Sequence, residues 1–511
     1  NRRNGRDTDL YLADTRVPGW AKLILETDGE YWQAGDLSRD GTRLLINHYV
    51  SINETYPAVL DFNAGRLTRI PIPNTDGPVA YGPLKFSRDG RYAFAASDAA
   101  GEFRQLAAID LDSMKYIWLT PHIPWDVEAI EISPANDRVA FAVNENGASR
   151  LYWFEARPIE IDGQKELAIS PASEIDLPLG VVSGLEFTRD GRRLGFTLAR
   201  ADSPAEAYSY DFDGRRVVRW TYSEVGGLDA SLFVSPEQIA YSTFDTVGPG
   251  NQPRVIPAYL FKPRTASAQS PAPVLINIHG GPESQYRPTL SSFDQFLLSE
   301  MGIAVIRPNV RGSEGYGKTY LRLDNAERRE DSVRDIGALI DWIGTQPDLD
   351  AERVGVIGGS YGGYMVLASL VHFSDRLKAG VDIVGIASFQ TFLENTSAYR
   401  QDLRRAEYGD EREPRMQQFF QRIDPLHNAG KITAALFVAH GRNDPRVPFS
   451  EAEQIADKVR TNGQPVWTVY ADNEGHGFAK KANRDYLYAA IALFLQDRLV
   501  EGDSGAKSPS R

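Results

Sequence analysis

Cysteine is absent from all 511 residues. That absence excludes disulfides, a thiol nucleophile and thiolate metal sites, and it leaves the redox compartment open. Positive charge is also in short supply. Lys and Arg number 56 against 69 Asp and Glu, a formal net charge of −13, and no basic stretch opposes it, so nucleic acid is not an expected partner. No apolar run approaches the ~20 residues that span a bilayer, so no membrane partner is expected. The chain starts at Asn1 in "NRRNGRDTDL", with neither a Met nor a signal-like apolar segment. A processed or truncated start is therefore the expectation, and the compartment stays open between cytoplasm and, with an export signal removed, periplasm.

What is present describes a soluble, multidomain protein. Hydrophobic residues make up 42% and charged residues 24%, ordinary for a globular chain, and the length predicts two or three domains. Residues 1–250 carry a degenerate repeat: "DLSRDGTRLLI" at Asp36, "KFSRDGRYAFA" at Lys85, "EISPANDRVAF" at Glu131, "EFTRDGRRLGF" at Glu186 and, weakly, "FVSPEQIAYS" at Phe233. The steps between Ser38, Ser87, Ser133, Thr188 and Ser235 are 49, 46, 55 and 47 residues. Each copy reads as a strand, a tight turn and an alternating strand, and a second hairpin often follows. Four short strands per repeat of this length is the rhythm of a β-propeller blade. Five blade cores are expected, with "DLYLAD" at Asp9 as the end of a sixth, so the propeller reads as incomplete; a β-sandwich with coincidental spacing is the alternative. Asp211 in a D-x-D-G stretch lacks the further ligands of a calcium loop and reads as a hairpin turn.

The rhythm changes near "RTASAQSPAP", a loop at 264–273. From 251 to 500 strands alternate with amphipathic helices, the pattern of an α/β domain with a mostly parallel sheet. Residues 501–511 read as a disordered tail.

"VGVIGGSYGGYMV" carries the strongest chemical signal. Gly358, Ser360 and Gly362 form G-x-S-x-G between a buried strand and a helix, the nucleophile elbow; a Gly-rich structural turn is the alternative. The helix that follows makes the Tyr361 N–H one oxyanion donor, and the "HGG" turn offers the Gly281 N–H as the other. A serine needs a base, and in this arrangement the order is Ser, acid, His. His476, in the polar loop "DNEGHGF" before the last helix, is the expected base. His372 lies too close to the elbow, His427 follows no strand, and His440 at a strand end reads as support for the loop after it. Asp444, four residues past that strand, is the expected acid, with an Asx-turn role as its alternative. Asp472 and Glu474 share the loop of His476 and would strain to face its Nδ1. His279 reads as structural. Phe389 and Phe392 are three apart and share a helical face; core packing is the alternative to any role in binding.

"HGGP", "NVRGSEGYG", "GGSYGGY", "HGRNDPRVP" and "EGHGF", in that order after a propeller-like half, resemble the prolyl oligopeptidase family of serine peptidases, in its acylaminoacyl-peptidase-like and related bacterial branch. The resemblance implies a C-terminal α/β-hydrolase domain and an N-terminal all-β propeller that admits only short or unfolded peptides. It implies a catalytic Ser360, Asp444 and His476, and a first specificity pocket lined by Phe389 and Phe392 that Tyr364 and Val447 would complete. It implies no cofactor and no metal. Where other branches carry a Tyr that helps hold the oxyanion, His279 stands here, which hands that role to the Gly281 N–H. The family's dipeptidyl peptidases carry a paired Glu motif, and no adjacent Glu pair occurs in this sequence. "GSEGYGKT" at 312–319 fits a phosphate-loop pattern, but the resemblance assigns it to a loop shaping the floor near the active site. The expected activity is peptide hydrolysis. A carboxylesterase with the same triad is the alternative, and a non-enzymatic scaffold is disfavoured by the complete triad. A homo-oligomer is compatible with the sequence, which does not specify the oligomeric state.

Overall fold

The computed structural model describes residues 3–4, 7–73, 77–161 and 164–501; the expected tail at 502–511 lies outside them. The chain divides into two compact units, one of residues 1–227 with 315–319, the other of residues 228–314 with 320–511.

The first unit is a β-propeller chain of antiparallel sheets. A hairpin, Leu10–Ala13 with Ala21–Leu25, precedes four larger sheets. Three of those have four strands in sequence order, and the third along the chain, around Asp126–Glu145, has five. The repeat motif explains the inner hairpins. Ser38 Oγ donates to Asp40 (2.6 Å) and accepts from the Arg43 N–H (2.9 Å). Ser87 with Asp89 and Tyr92 repeats the same closure, as does Thr188 with Asp190 and Arg193. One repeat then ties to the next: Arg43 donates to the Gly90 carbonyl at 2.7 Å and Arg138 to that of Gly191 at 2.8 Å. Between consecutive sheets lie apolar clusters, such as Leu45 and Val59 with Tyr81, Leu84 and Phe86. Asp211 closes its hairpin by accepting from the Asp213 and Gly214 N–H groups, both at 3.1 Å, as its D-x-D-G reading as a turn requires.

The repeat core expected at Phe233 is not a blade. Glu237–Val247 pairs antiparallel with Gln252–Phe261 as the edge of the sheet in the second unit. Its stretch lacks the Asp-Gly turn that three of the other four copies carry, and Tyr241, facing inward, is buried in the core of that second unit.

The second unit is an α/β-hydrolase domain built on an eight-stranded sheet. Its order is Glu237–Val247, Gln252–Phe261, Ala304–Pro308, Ala272–Ile278, Leu349–Gly359, Ala379–Ile383, Ala435–Gly441 and Val466–Ala471. The first three pair antiparallel and all later neighbours are parallel. Parallel strands covered on both faces need apolar residues at nearly every position, and Ala304–Pro308 and Ala435–Gly441 are buried throughout. Helix Arg329–Ile343 packs Val333, Ile336, Ile340 and Ile343 into this core. Among the described residues no helix is long and apolar enough to cross a membrane.

Candidate active site

The strand Leu349–Gly359 runs through the middle of the sheet and ends at Ser360, where helix Tyr361–Phe373 begins. Ser360 adopts φ 59° and ψ −121°, a conformation that costs a non-glycine residue on the order of 1–3 kcal/mol. Its surroundings impose it. The Ser360 N–H donates to the Ile383 carbonyl at 2.9 Å, while its own carbonyl accepts from Gly363 at 2.9 Å and Tyr364 at 3.2 Å. Gly358 and Gly362 are needed for space. A Cβ on Gly358 would lie 2.4 Å from the Gly362 carbonyl oxygen, and one on Gly362 would lie 2.2 Å from that of Ile278. Elbow and first strand therefore pack backbone to backbone. Tyr361 is the first residue of its helix, so its N–H has no acceptor within the helix.

The loop after Ala272–Ile278 brings Gly281 with φ +125°, where a Cβ would meet the Glu283 N–H group 2.4 Å away. Its carbonyl is held by Arg404 Nη1 (3.0 Å) and by the Tyr408 hydroxyl (3.4 Å). His279 is buried, and burial brings its imidazole down to about 4. Its Nδ1 lies 2.8 Å from the Gly280 carbonyl, and its Nε2 lies 2.7 Å from Ser313 Oγ, which itself donates to the Val310 carbonyl at 2.7 Å. It braces the loop, which is the structural role its sequence context indicates.

Asp444 and His476 meet. His476 Nδ1 is 2.7 Å from Asp444 Oδ2, with the imidazole 14% exposed and the carboxylate sealed from solvent. Asp444 Oδ1 accepts from the Arg446 N–H at 2.8 Å and the Val447 N–H at 3.1 Å. Burial alone would raise the Asp444 carboxyl, but the hydrogen bonds from His440 and His476 hold it well below the usual carboxylate range. An ionised Asp444 fixes the His476 tautomer with its proton on Nδ1 and leaves Nε2 with a lone pair able to accept a proton. The competing acids are engaged elsewhere. Asp472 pairs with Arg442 at 2.8 Å on the surface, and Glu474 accepts from the Ala479 and Lys480 N–H groups and Asn483, which shapes the histidine loop. Of the other downstream histidines, His372 faces Glu330 at 2.8 Å, and His427 lies 3.8 Å from Asp424. His440 lies against Asp444 itself, at 3.3 Å.

Phe389, Phe392 and Tyr364 gather beside the elbow. Ring centroids are 4.6 Å apart for Tyr364 and Phe389, and 5.6 Å for Tyr361 and Tyr364. Val447 belongs to the same buried cluster. Tyr408 joins them, at 4.8 Å from Phe389 and 6.0 Å from Phe392. Sequence reasoning missed Tyr408 and Arg404, which connect this aromatic wall to the Gly281 loop. Their helix, "AYRQDLRRAEY", is so rich in charge that it reads as a solvated face; only the pairing of Arg329 with Asp324 and Glu407 beneath it shows that charge to be buried. Among the described residues no group of three or more His, Asp or Glu side chains is arranged to hold a metal ion.

The family model described as the prolyl oligopeptidase family matches residues 288–501, a span that contains Ser360, Asp444 and His476. The hydrolase unit belongs to the prolyl oligopeptidase family. Among relatives, dipeptidyl aminopeptidase BIII of Pseudoxanthomonas mexicana is 28% identical over 425 residues, 81% of this chain and 59% of its own length. The acylamino-acid-releasing enzyme of Homo sapiens is 23% identical over 247 residues, 47% of this chain and 34% of that enzyme. The chain therefore spans about three fifths of the bacterial relative's length and about a third of the human one's. A crystal structure of puromycin hydrolase superposes with a TM-score of 0.79 at 19% identity, covering 93% of this chain and 71% of that one, which is a likeness of fold.

Proposed function

We propose that this protein is a serine-type peptidase that hydrolyses short peptides through a Ser360, His476 and Asp444 triad and an acyl-enzyme. The observation that carries the reading is the 2.7 Å bond between His476 Nδ1 and a solvent-sealed, ionised Asp444, in a chain whose elbow presents a strained Ser360. In this mechanism His476 Nε2 removes the Ser360 proton as Oγ adds to the scissile carbonyl. The Tyr361 and Gly281 N–H groups receive the oxyanion. The same imidazole protonates the departing amine, and water releases the acyl group by the reverse sequence. Phe389, Phe392, Tyr364 and Val447 supply an apolar wall for the residue before the scissile bond. We place the limit between propeller and hydrolase domains near residue 227, ahead of the expected 250, because Glu237–Val247 already belongs to the hydrolase sheet.

An acylaminoacyl-peptidase or oligopeptidase-like mode of cleavage fits the "HGG" oxyanion turn and the absence of a Glu pair. Release of dipeptides is the second reading, favoured by the similarity to a dipeptidyl aminopeptidase over 81% of the chain. A carboxylesterase would use the same residues. The test is a fluorophosphonate probe with a mixture of free, acylated and ester substrates read by mass spectrometry. Labelling of Ser360, loss of both labelling and peptide cleavage in Ser360→Ala, and faster turnover of peptides than of simple esters are expected. Labelling at another residue, or ester turnover alone, would overturn the proposal.

A further inference from the structure

The triad acid has a second histidine behind it. His440 is the penultimate residue of the strand Ala435–Gly441 and is fully buried. Its Nε2 lies 3.0 Å from the Val447 carbonyl and 3.3 Å from Asp444 Oδ2. Both neighbours are acceptors, so Nε2 is the nitrogen that carries the proton. Nδ1, by contrast, is buried with no hydrogen-bond partner, as the lone-pair side of a neutral ring can be. The two imidazoles that touch Asp444 therefore hold opposite tautomers: His476 presents Nδ1–H and His440 presents Nε2–H to the same oxygen.

The loop that carries Asp444 needs such an anchor. Arg442, Asn443, Pro445 and Arg446 are all exposed, and Asp444 Oδ1 is tied only to N–H groups of its own loop. His440 links this loop, through Val447 and Asp444 Oδ2, to the strand Ala435–Gly441, beside backbone ties from the Arg442 N–H to the Ala471 carbonyl (3.0 Å), the Asn443 N–H to the Glu474 carbonyl (2.9 Å) and the Thr396 hydroxyl to the Arg446 carbonyl (2.7 Å). Its own position is fixed by packing. Phe449 stands edge-on at 5.8 Å. Asp382 pairs in register with Val438, which places its side chain on the same sheet face as His440, and Gly363 and Gly385 close over that carboxyl so tightly that neither has room for a Cβ. Glu451, the other acid whose charge reaches His440, is committed to the Ala387 and Ser388 N–H groups and to Thr391.

We infer that His440 is a positioning residue of the catalytic centre, whose Nε2–H holds the Asp444 carboxylate in the orientation that meets His476. The inference rests on the triad proposed above. Loss of the donor releases the Asp444 carboxylate and the Val447 carbonyl, while Phe389, Phe392 and Tyr364 keep their mutual packing, so the chemical step suffers more than binding. A misplacement of an ångström at such a site can cost about a hundredfold in rate.

The test compares His440→Leu, which keeps apolar bulk without a donor, with His440→Gln, whose amide N–H can reach the Nε2 position. In His440→Leu, kcat on a chromogenic peptide should fall about tenfold to a hundredfold with KM within about threefold, and fluorophosphonate labelling of Ser360 should slow in parallel. His440→Gln should recover most of the loss. If the leucine variant does not fold, His440→Met provides the donorless comparison. Wild-type kcat in a folded donorless variant, or equal losses in the donor and donorless variants that follow their melting temperatures, overturns the inference. Ser360→Ala separates the two levels. Activity retained there overturns the triad and His440's role together, whereas an inactive Ser360→Ala beside an unimpaired His440→Leu overturns the role of His440 alone.

Discussion

Asp382 is the carboxyl in this domain with the least to satisfy it. It is fully buried, and its oxygens make no well-formed hydrogen bond, with only the Gly385 backbone close enough to favour the charge. Burial pushes it up to about 7, against an opposing pull from His440. An unfolded Asp titrates near ~3.9, so the folded state holds its proton over the interval between the two values. The associated stability is complete below about pH 4 and is lost as pH rises to about 7. Asp382→Asn abolishes this titration. Its stability relative to wild type should therefore become more favourable from about pH 5 to pH 8, by on the order of 1–4 kcal/mol. Thermal melts of both proteins at the two pH values check this; a difference that is constant or moves the other way contradicts it. Asp444 has the opposite sign. Its depressed value keeps it ionised, and its contribution is lost only as pH falls below the ordinary carboxylate range. Phe389 is a packing residue to which we also assign a role in specificity. It has no exposed surface and touches Tyr364, Tyr408 and Phe420, so truncation to Ala costs about 3–5 kcal/mol of stability. Phe389→Leu is the gentler probe. It should reorder kcat/KM among substrates that differ only at the residue before the scissile bond, within an apolar preference, since an unpaired charge is costly to bury there. An unchanged ranking, or a charged optimum in wild type, shows that the pocket lies elsewhere.

The elbow shows why some elements are legible in a sequence and others are not. G-x-S-x-G between a buried strand and a helix identifies its geometry because the geometry dictates the glycines. A Cβ on Gly362 meets the Ile278 and His279 carbonyl oxygens at 2.2 and 2.9 Å, whereas one on Gly359 meets nothing nearer than 3.7 Å. Gly362→Ala should thus destabilise by about 1–3 kcal/mol or more and abolish Ser360 labelling, while Gly359→Ala should stay folded and retain labelling. Equal behaviour of the two in melting and labelling experiments would remove backbone crowding as the explanation. The helix Ala398–Tyr408 is illegible because a buried charge such as Glu407 looks like surface charge until its partner, Arg329, is placed beside it. "GSEGYGKT" misleads in the other direction. Lys318 Nζ donates to the Asp98 carbonyl at 3.1 Å, and the N–H and hydroxyl of Thr319 donate to Glu102 at 2.6 and 2.8 Å. A glutamate thus occupies the donors that a phosphate would need. Calorimetric titration with ATP and Mg²⁺ should give no binding heat; a saturable signal lost in Lys318→Ala would falsify that assignment.

At the scale of the whole molecule, spacing alone exposes the repeats because three copies reuse one turn, a Ser or Thr hydroxyl closing on an Asp two residues later, and a fourth substitutes Ser133 Oγ accepting from the Ala135 and Asn136 N–H groups. Where the turn chemistry is missing, at Phe233, spacing misassigned the segment, since only pairing with Gln252–Phe261 reveals its sheet. The repeats matter to function through what they exclude. We expect the propeller unit to confine hydrolysis to short peptides, as the family relationship of the hydrolase unit implies. Native serum albumin should remain intact over a period in which peptides produced from it by prior digestion are consumed, with both followed by mass spectrometry in one reaction. The control is Ser360→Ala, which must leave both untouched, so that cleavage is assigned to the triad. If the native protein and its peptides disappear at comparable rates, no size filter operates, and the propeller's role must be sought in something other than substrate selection.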